Sequence, residues 1–206
     1  MNRALAVTAI ALLASSASAQ DGAGAKKAKP LDPISVQAVR NYGKCIVDRT
    51  PAGAAKVLDM DWRTKEYQEA LGRIMQGHTY CMAGGGRLAS SGILVAGGMA
   101  EAFLNRDRSD VLAAKLTWRE GAAPIVARGE MEAVGLCLVR KAPEASANLF
   151  GTEPMTSGET AAFRAITPLL SDCVAKGQQV QVNRPGLRAQ IALAAYRITH
   201  TPASGN

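Results

Sequence analysis

Aromatic residues are scarce in this chain: three phenylalanines, four tyrosines and two tryptophans make up 4% of its 206 residues. Broad strands rely on aromatic and β-branched side chains to cover their pleated faces, whereas the alanine and glycine abundant here suit thin, closely packed helices. Histidine is scarcer still, at two residues, His78 and His200. They are too few and too far apart in sequence for a zinc signature, and a serine hydrolase would need one of them as its base. His78 falls on an apolar helical stripe and is read as a partly buried imidazole with one hydrogen-bond partner. His200 lies in the terminal THTPASGN, which is expected to fray.

Other signatures are missing as well. The chain has no CxxC or CxxCH, no G-x-S-x-G elbow, no dinucleotide fingerprint and no EF-hand loop. The glycine-rich AGGGR at 83–87 lacks the Gly-Lys-Ser/Thr ending of a phosphate loop. No cofactor and no metal are expected, and a non-enzymatic role is favoured over an enzymatic one. Apolar runs of membrane-spanning length are absent too, the apolar stretch near the start being only about eleven residues long.

That stretch has its own meaning. MNRALAVTAIALLASSASAQ places one arginine before the apolar core and Ala17-Ser18-Ala19 ahead of Gln20, the pattern of a secretory signal peptide over 1–19. No cysteine stands at the cleavage site for lipid attachment, so an exported product without a transmembrane anchor is expected, in the periplasm or secreted. A Gly/Ala/Lys leader follows over 20–33, read as flexible. The formal charge is +7, about +6 without Arg3, an excess that favours anionic partners such as an acidic envelope component or protein. Apart from Lys26, Lys27 and Lys29 the basic residues are scattered, and no specific nucleic acid is expected.

The chain resembles itself. With an offset of 92 and no gap, Val39 through Arg106 matches Met131 through Ile198, with 13 of 68 pairs identical. "GKCIVDRTP" at Gly43–Pro51 stands against "GLCLVRKAP" at Gly135–Pro143, and Cys45 pairs with Cys137 and Cys81 with Cys173. Both cysteines and the proline falling in register point to an internal duplication. Each copy is expected to be helical. Val39, Tyr42 and Ile46 recur at three and four residues, as do Val134 and Leu138, and Pro51 and Pro143 end those helices. A second helix carries Leu71, Ile74, His78 and Cys81 in one copy and Phe163, Ile166, Leu170 and Cys173 in the other, the latter after a capping box at Thr156–Glu159. Ser91 and Asn183 are candidate N-caps of a third helix, whose buried stripe in the second copy is Leu187, Ile191, Ala194 and Ile198. Gly97 and Gly98 weaken its first-copy counterpart unless helices approach closely there.

The expected fold is therefore all-α: two tandem three-helix units, repeat 1 over 34–106 and repeat 2 over 129–199. A connector over 107–128 carries a short helix at Ser109–Lys115, and a disordered tail covers 200–206. An even cysteine count in an exported chain points to disulfides. Of the three connectivities open to four cysteines, a unit that once folded alone would hold Cys45 to Cys81 and Cys137 to Cys173.

Carboxylates are the one route to an enzyme. Glu101 stands where the second copy has Leu193, and a glutamate at an apolar position could serve as a general acid. A solvated Glu101 is the favoured alternative. Nothing in the sequence brings Glu69, Asp107 or Asp110 beside it as the second carboxylate of a glycosidase. Arg73, Arg87 and Arg106 are candidate anion contacts. The expected function is an exported interaction or envelope-associated module with a basic surface; the alternative is a hydrolase of a cell-envelope glycan with Glu101 as acid.

The Gly-x-Cys-[Ile/Leu]-Val…Pro elements and "ALAAYRI" at Ala192–Ile198 resemble those of a group of small secreted, cysteine-containing helical proteins of alphaproteobacteria, sphingomonads in particular. The resemblance implies an exported, disulfide-containing α-helical protein and carries no activity or catalytic residue with it. Intact-mass measurement on protein from its native host is expected to give a chain beginning at Gln20; a mass retaining residues 1–19 contradicts the export signal.

Overall fold

Proline does more in this chain than end helices. In the computed structural model, which describes residues 32–82, 91–117, 124–178 and 180–200, it also begins them. Helix α1 (Pro33–Arg49) starts on a proline behind Asp32, whose carboxylate accepts from the Ile34 and Ser35 amides. The helix thus takes its cap and first residue from the segment read as leader. Helix α2 (Pro51–Asp59) and helix α7 (Pro143–Phe150) each open on the proline that closes the helix before it. A missing amide is harmless in a first turn, where no intrahelical acceptor faces it. The expected three helices per half become four in the first half, and the second has a further one-turn helix at Leu170–Cys173.

In chain order the elements are α1, α2, α3 (Lys65–Gly77), a 3-10 turn at Thr79–Cys81, α4 (Gly92–Leu104), α5 (Ser109–Leu116), α6 (Glu130–Lys141), α7, α8 (Ser157–Ile166), a 3-10 turn at Thr167–Leu169, α9 (Leu170–Cys173) and α10 (Arg184–His200). The fold is all-α, with no strand among the described residues. The helix expected to run through to the second cysteine is broken in both halves. Pro168 sits in the break of the second half, where its ring and missing amide interrupt the α-helical ladder. Three pairs of helices begin at a separation of 92, α2 and α7 at 51 and 143, α3 and α8 at 65 and 157, α4 and α10 at 92 and 184, while α1 and α6 end at that separation, at 49 and 141.

Helices α4 and α10 are the axis of the fold. Val95 through Glu101 is buried without a gap along α4, and α10 buries Pro185, Leu187, Arg188, Ala189, Ile191, Ala192 and Ala194 to Tyr196. The single stripe expected for α10 was too narrow, because the helix is enclosed on most of its circumference. The two helices touch at Gly97 and Ala189, where a Cβ on Gly97 would stand 2.5 Å from that of Ala189. Helix α1 lies against α4 and α6 against α10 through an equivalent pair of glycines. A Cβ on Gly43 would meet the backbone of Gly98 and Met99 at 2.7 Å, and one on Gly135 the Gln190 carbonyl at 2.8 Å. Both halves share one core, which includes Tyr42, Ile46, Met99, Leu138, Phe150, Ile166 and Tyr196. The connector helix α5 belongs to it as well, burying Leu112, Ala113 and Leu116 and packing against α7. His200 ends α10 and stacks on Tyr196 at 4.1 Å between ring centroids, so the residue expected to fray is held by a ring contact.

Two disulfides join Cys45 to Cys81 and Cys137 to Cys173, with Cα separations of 5.8 and 5.6 Å and a sequence separation of 36 in both. Each staples the first helix of a half to the segment after its third, and none of the described cysteines is free. No described helix is long and apolar enough to cross a membrane. Closing such a loop restricts the unfolded chain by about 4 kcal/mol on the chain-entropy estimate. Replacing Cys137 and Cys173 together by alanine is expected to lower unfolding stability by about 2–4 kcal/mol in denaturant titration, with peptide mapping still showing the Cys45–Cys81 link. A peptide joining the two halves would contradict the pairing.

Candidate functional site

The α4–α10 crossing has two flanks, and the chain fills them with opposite chemistry. On the first, four charged side chains meet. Arg188 of α10 is 3% exposed and all five of its N–H donors are used. Its Nε donates to Glu101 Oε1 at 2.7 Å and Nη2 to Glu101 Oε2 at 2.9 Å. Its Nη1 donates to Glu159 Oε1 at 3.0 Å and to the Thr152 hydroxyl at 3.1 Å, and Nη2 also to the Thr152 carbonyl at 2.9 Å. Arg40 of α1 closes the set, with Nε on Glu101 Oε2 at 2.8 Å. Burial works against the Arg188 charge, but hydrogen bonds and coulombic attraction from Glu101, and then from Glu159, overcome it and hold the guanidinium above its ordinary pKa. With Glu153 on Arg40 and Arg184 on Glu159 at its edge, three cations stand against three carboxylates, so the cluster is neutral, and only about 30 Å³ of open space remains beside it.

Glu101 is therefore neither solvated nor placed as an acid. Its residue is 3% exposed, both carboxylate oxygens accept from guanidinium groups, and they serve as counter-charge to Arg188 and Arg40. The carboxylates considered as its partners stand in ion pairs of their own: Glu69 with Lys65 and Arg73, Asp107 with Lys115, Asp110 with Arg108. Arg73 is thus engaged on α3, and Arg106 lies over the Phe103 ring at 4.7 Å. Arg87 lies outside the described residues. His78 is half-buried at the end of α3, where its Nδ1 donates to the Ile74 carbonyl at 2.7 Å. Glu159 does not form the reciprocal half of a capping box; its Oε2 accepts from the Met155 amide at 2.9 Å and supports that residue at φ 63°.

The second flank is open. A chamber of about 600 Å³ lies between α2, α3 and α4 of the first half and α6 and α10 of the second. Its apolar walls are Leu58, Met60, Leu71, Ile93, Met131 and Leu193, with Trp62 and Tyr67 as aromatic surface. Trp62, Gln68, Ser91 and Glu130 are exposed and mark its mouth, the Trp62 indole lying against Gly129. Inside, Glu132 is paired with Arg197 and also accepts from the Arg128 amide. Arg128 in turn donates to the Met60 carbonyl at 2.6 Å, tying the entry of α6 to the end of α2.

The two flanks occupy equivalent positions at the 92-residue offset. Glu101 corresponds to Leu193, Glu159 to Tyr67, Thr152 to Met60 and Arg40 to Glu132. Arg188, whose long side chain fills the first flank, corresponds to Ala96. Ala96 is fully buried and stands outside the chamber wall, whereas Leu193, Tyr67, Met60 and Glu132 at the other equivalent positions line it. A polar cleft of about 320 Å³ near Arg40 offers less, because its groups are already satisfied within the protein. Asn105 donates to the Phe150 carbonyl, Ser109 to the Asn148 side chain, and Asp107 pairs with Lys115.

Sequence reasoning noticed Glu101 against Leu193 but did not connect it with Arg188 against Ala96 or Glu159 against Tyr67. Those three pairs, taken together, are the signal for one closed and one open flank. Removing Arg188 would leave two buried carboxylates facing each other. Arg188→Ala is expected to cost about 3–5 kcal/mol of unfolding stability. Adding Glu101→Leu to Arg188→Ala, which copies the open flank, is expected to recover part of it. Equal stability of the single variant and the native chain in denaturant titration contradicts this role of the cluster. Compared with protein-family models, with curated proteins and with solved structures, the chain matches none of them, and its function has to be read from this geometry.

Proposed function

We infer that the protein is an exported, non-catalytic binding module that holds a small apolar molecule in the chamber between its halves. The observation that carries the reading is the chamber itself: about 600 Å³, apolar on most of its wall and opening beside Trp62. Sites for small molecules are commonly of this size and lie between structural units, with few polar groups among apolar walls.

Export is supported by the signal-like first nineteen residues and by two disulfides. The cationic excess suits an acidic envelope component or protein as the surface on which the module works. A duplicated helical unit, one flank of which lost its polar filling, is supported by the constant offset of the helices. The glycan-hydrolase alternative has no such observation behind it, since Glu101 is enclosed by arginines.

Titration with the neutral dye N-phenyl-1-naphthylamine is expected to give a saturable rise in fluorescence at one site per chain. Leu193→Trp, which places an indole in the chamber, is expected to weaken dye binding at least about tenfold, the equivalent of about 1.4 kcal/mol, with circular dichroism unchanged. Absence of saturable binding, or the same affinity in the variant, contradicts the reading.

A further inference from the structure

The charged groups of the chamber are engaged with partners within the protein, whereas the Tyr67 hydroxyl is not. Glu132 and Arg197 neutralise each other. Glu130 accepts from Gln178 at 2.6 Å at the rim, and Gln68 donates to the Trp62 carbonyl at 3.1 Å. Tyr67 is different. The residue is 7% exposed and lines the chamber, and its hydroxyl, which makes no hydrogen bond to a described residue, keeps contact with the open space there. At the equivalent place on the closed flank stands Glu159, whose carboxylate is fully engaged with Arg188 and the Met155 amide. The open flank thus keeps a polar group at that position and lacks the group to meet it.

We propose that the chamber takes a neutral amphiphile, an apolar chain or ring body carrying one hydroxyl or carbonyl oxygen, with that oxygen bound by the Tyr67 hydroxyl. This rests on the binding reading above and names the ligand class for the same site. Head-group charge is disfavoured on both signs. A carboxylate or ammonium would leave water for a space whose charged pair is already internally neutral, and a buried charge without a counter-ion is far more costly than a hydrogen-bonded neutral oxygen. Burial also raises the Tyr67 phenol above its ordinary pKa, so it keeps its proton and remains a donor. The half-buried Gln190, which lines the α10 wall, can both donate and accept, as suits a hydroxyl or a carbonyl alike.

The test uses four probes with the same eight-carbon chain: octane, octanol, octanoate and octylamine. Each competes with N-phenyl-1-naphthylamine on the full mature chain at neutral pH. Octanol is expected to bind most tightly. Tyr67→Phe is expected to weaken octanol by about three- to tenfold, the worth of one neutral hydrogen bond, while octane is unaffected. A charged probe that binds as well as octanol overturns the ligand class. So does an octanol-to-octane ratio that Tyr67→Phe leaves unchanged, or a dye that binds while no eight-carbon probe displaces it. Failure of the dye itself would instead remove the chamber as a binding site. Should the variant lose its helical circular dichroism, the ranking of head groups on the unaltered protein decides the class.

Discussion

Two helices can cross with their backbones in contact only where a side chain is missing, and the meeting of Gly97 with Ala189 is such a place. Everything else in the fold is arranged around it. Because Gly97 and Ala189 are themselves 92 residues apart in sequence, α4 and α10 cross at equivalent positions, in the manner of a two-fold interface between like surfaces. The outer helices follow by the same device, α1 seated on α4 at Gly43 and α6 on α10 at Gly135. With the crossing fixed in this way, the spaces on its two sides have similar walls. What differs is the set of side chains sent into them.

That difference separates a filled flank from an open one. The closed flank uses long polar side chains, and its cost is limited because every donor of Arg188 finds an acceptor. Had hydrophobic residues filled the space, stability would have been as well served; the ion cluster adds direction, since it ties α1, α4, α8 and α10 to one another in a fixed geometry. The open flank gives up packing contacts across a large volume. A deviation from tight packing confined to one place, bounded by a rigid crossing, is the kind of local exception found where a protein binds something.

Much of this architecture was legible in the chain because its signals are local. The three-and-four spacing of Val39, Tyr42 and Ile46, the prolines at 51 and 143, and four cysteines in register were enough for an all-α fold and the bridge pattern. The extra helices α2 and α7 were missed because Pro51 and Pro143 were read only as stops, although a proline suits the first turn of a helix equally well. The chamber was hidden for a different reason. Trp62, Tyr67, Met131 and Gln190 are brought together from the α2–α3 connection and from α3, α6 and α10, and no local spacing pairs them. Glu101 was singled out correctly as an unusual position and given the wrong surroundings, since its partners Arg40 and Arg188 lie 61 and 87 residues away.

The disulfides and an occupant of the chamber would stabilise different parts of the molecule. Each bridge closes a loop within one half and acts mainly by restricting the unfolded chain. The chamber draws its walls from both halves, α2, α3 and α4 on one side and α6 and α10 on the other. A ligand there adds contacts across the seam, where outside the helix crossing the described ties include Arg128 to the Asp59 and Met60 carbonyls and Tyr196 to Asp59. Binding to the folded chain alone raises its stability with ligand concentration. The bridges would keep each half intact whether or not a ligand is present, leaving the seam as the part whose firmness would depend on occupancy.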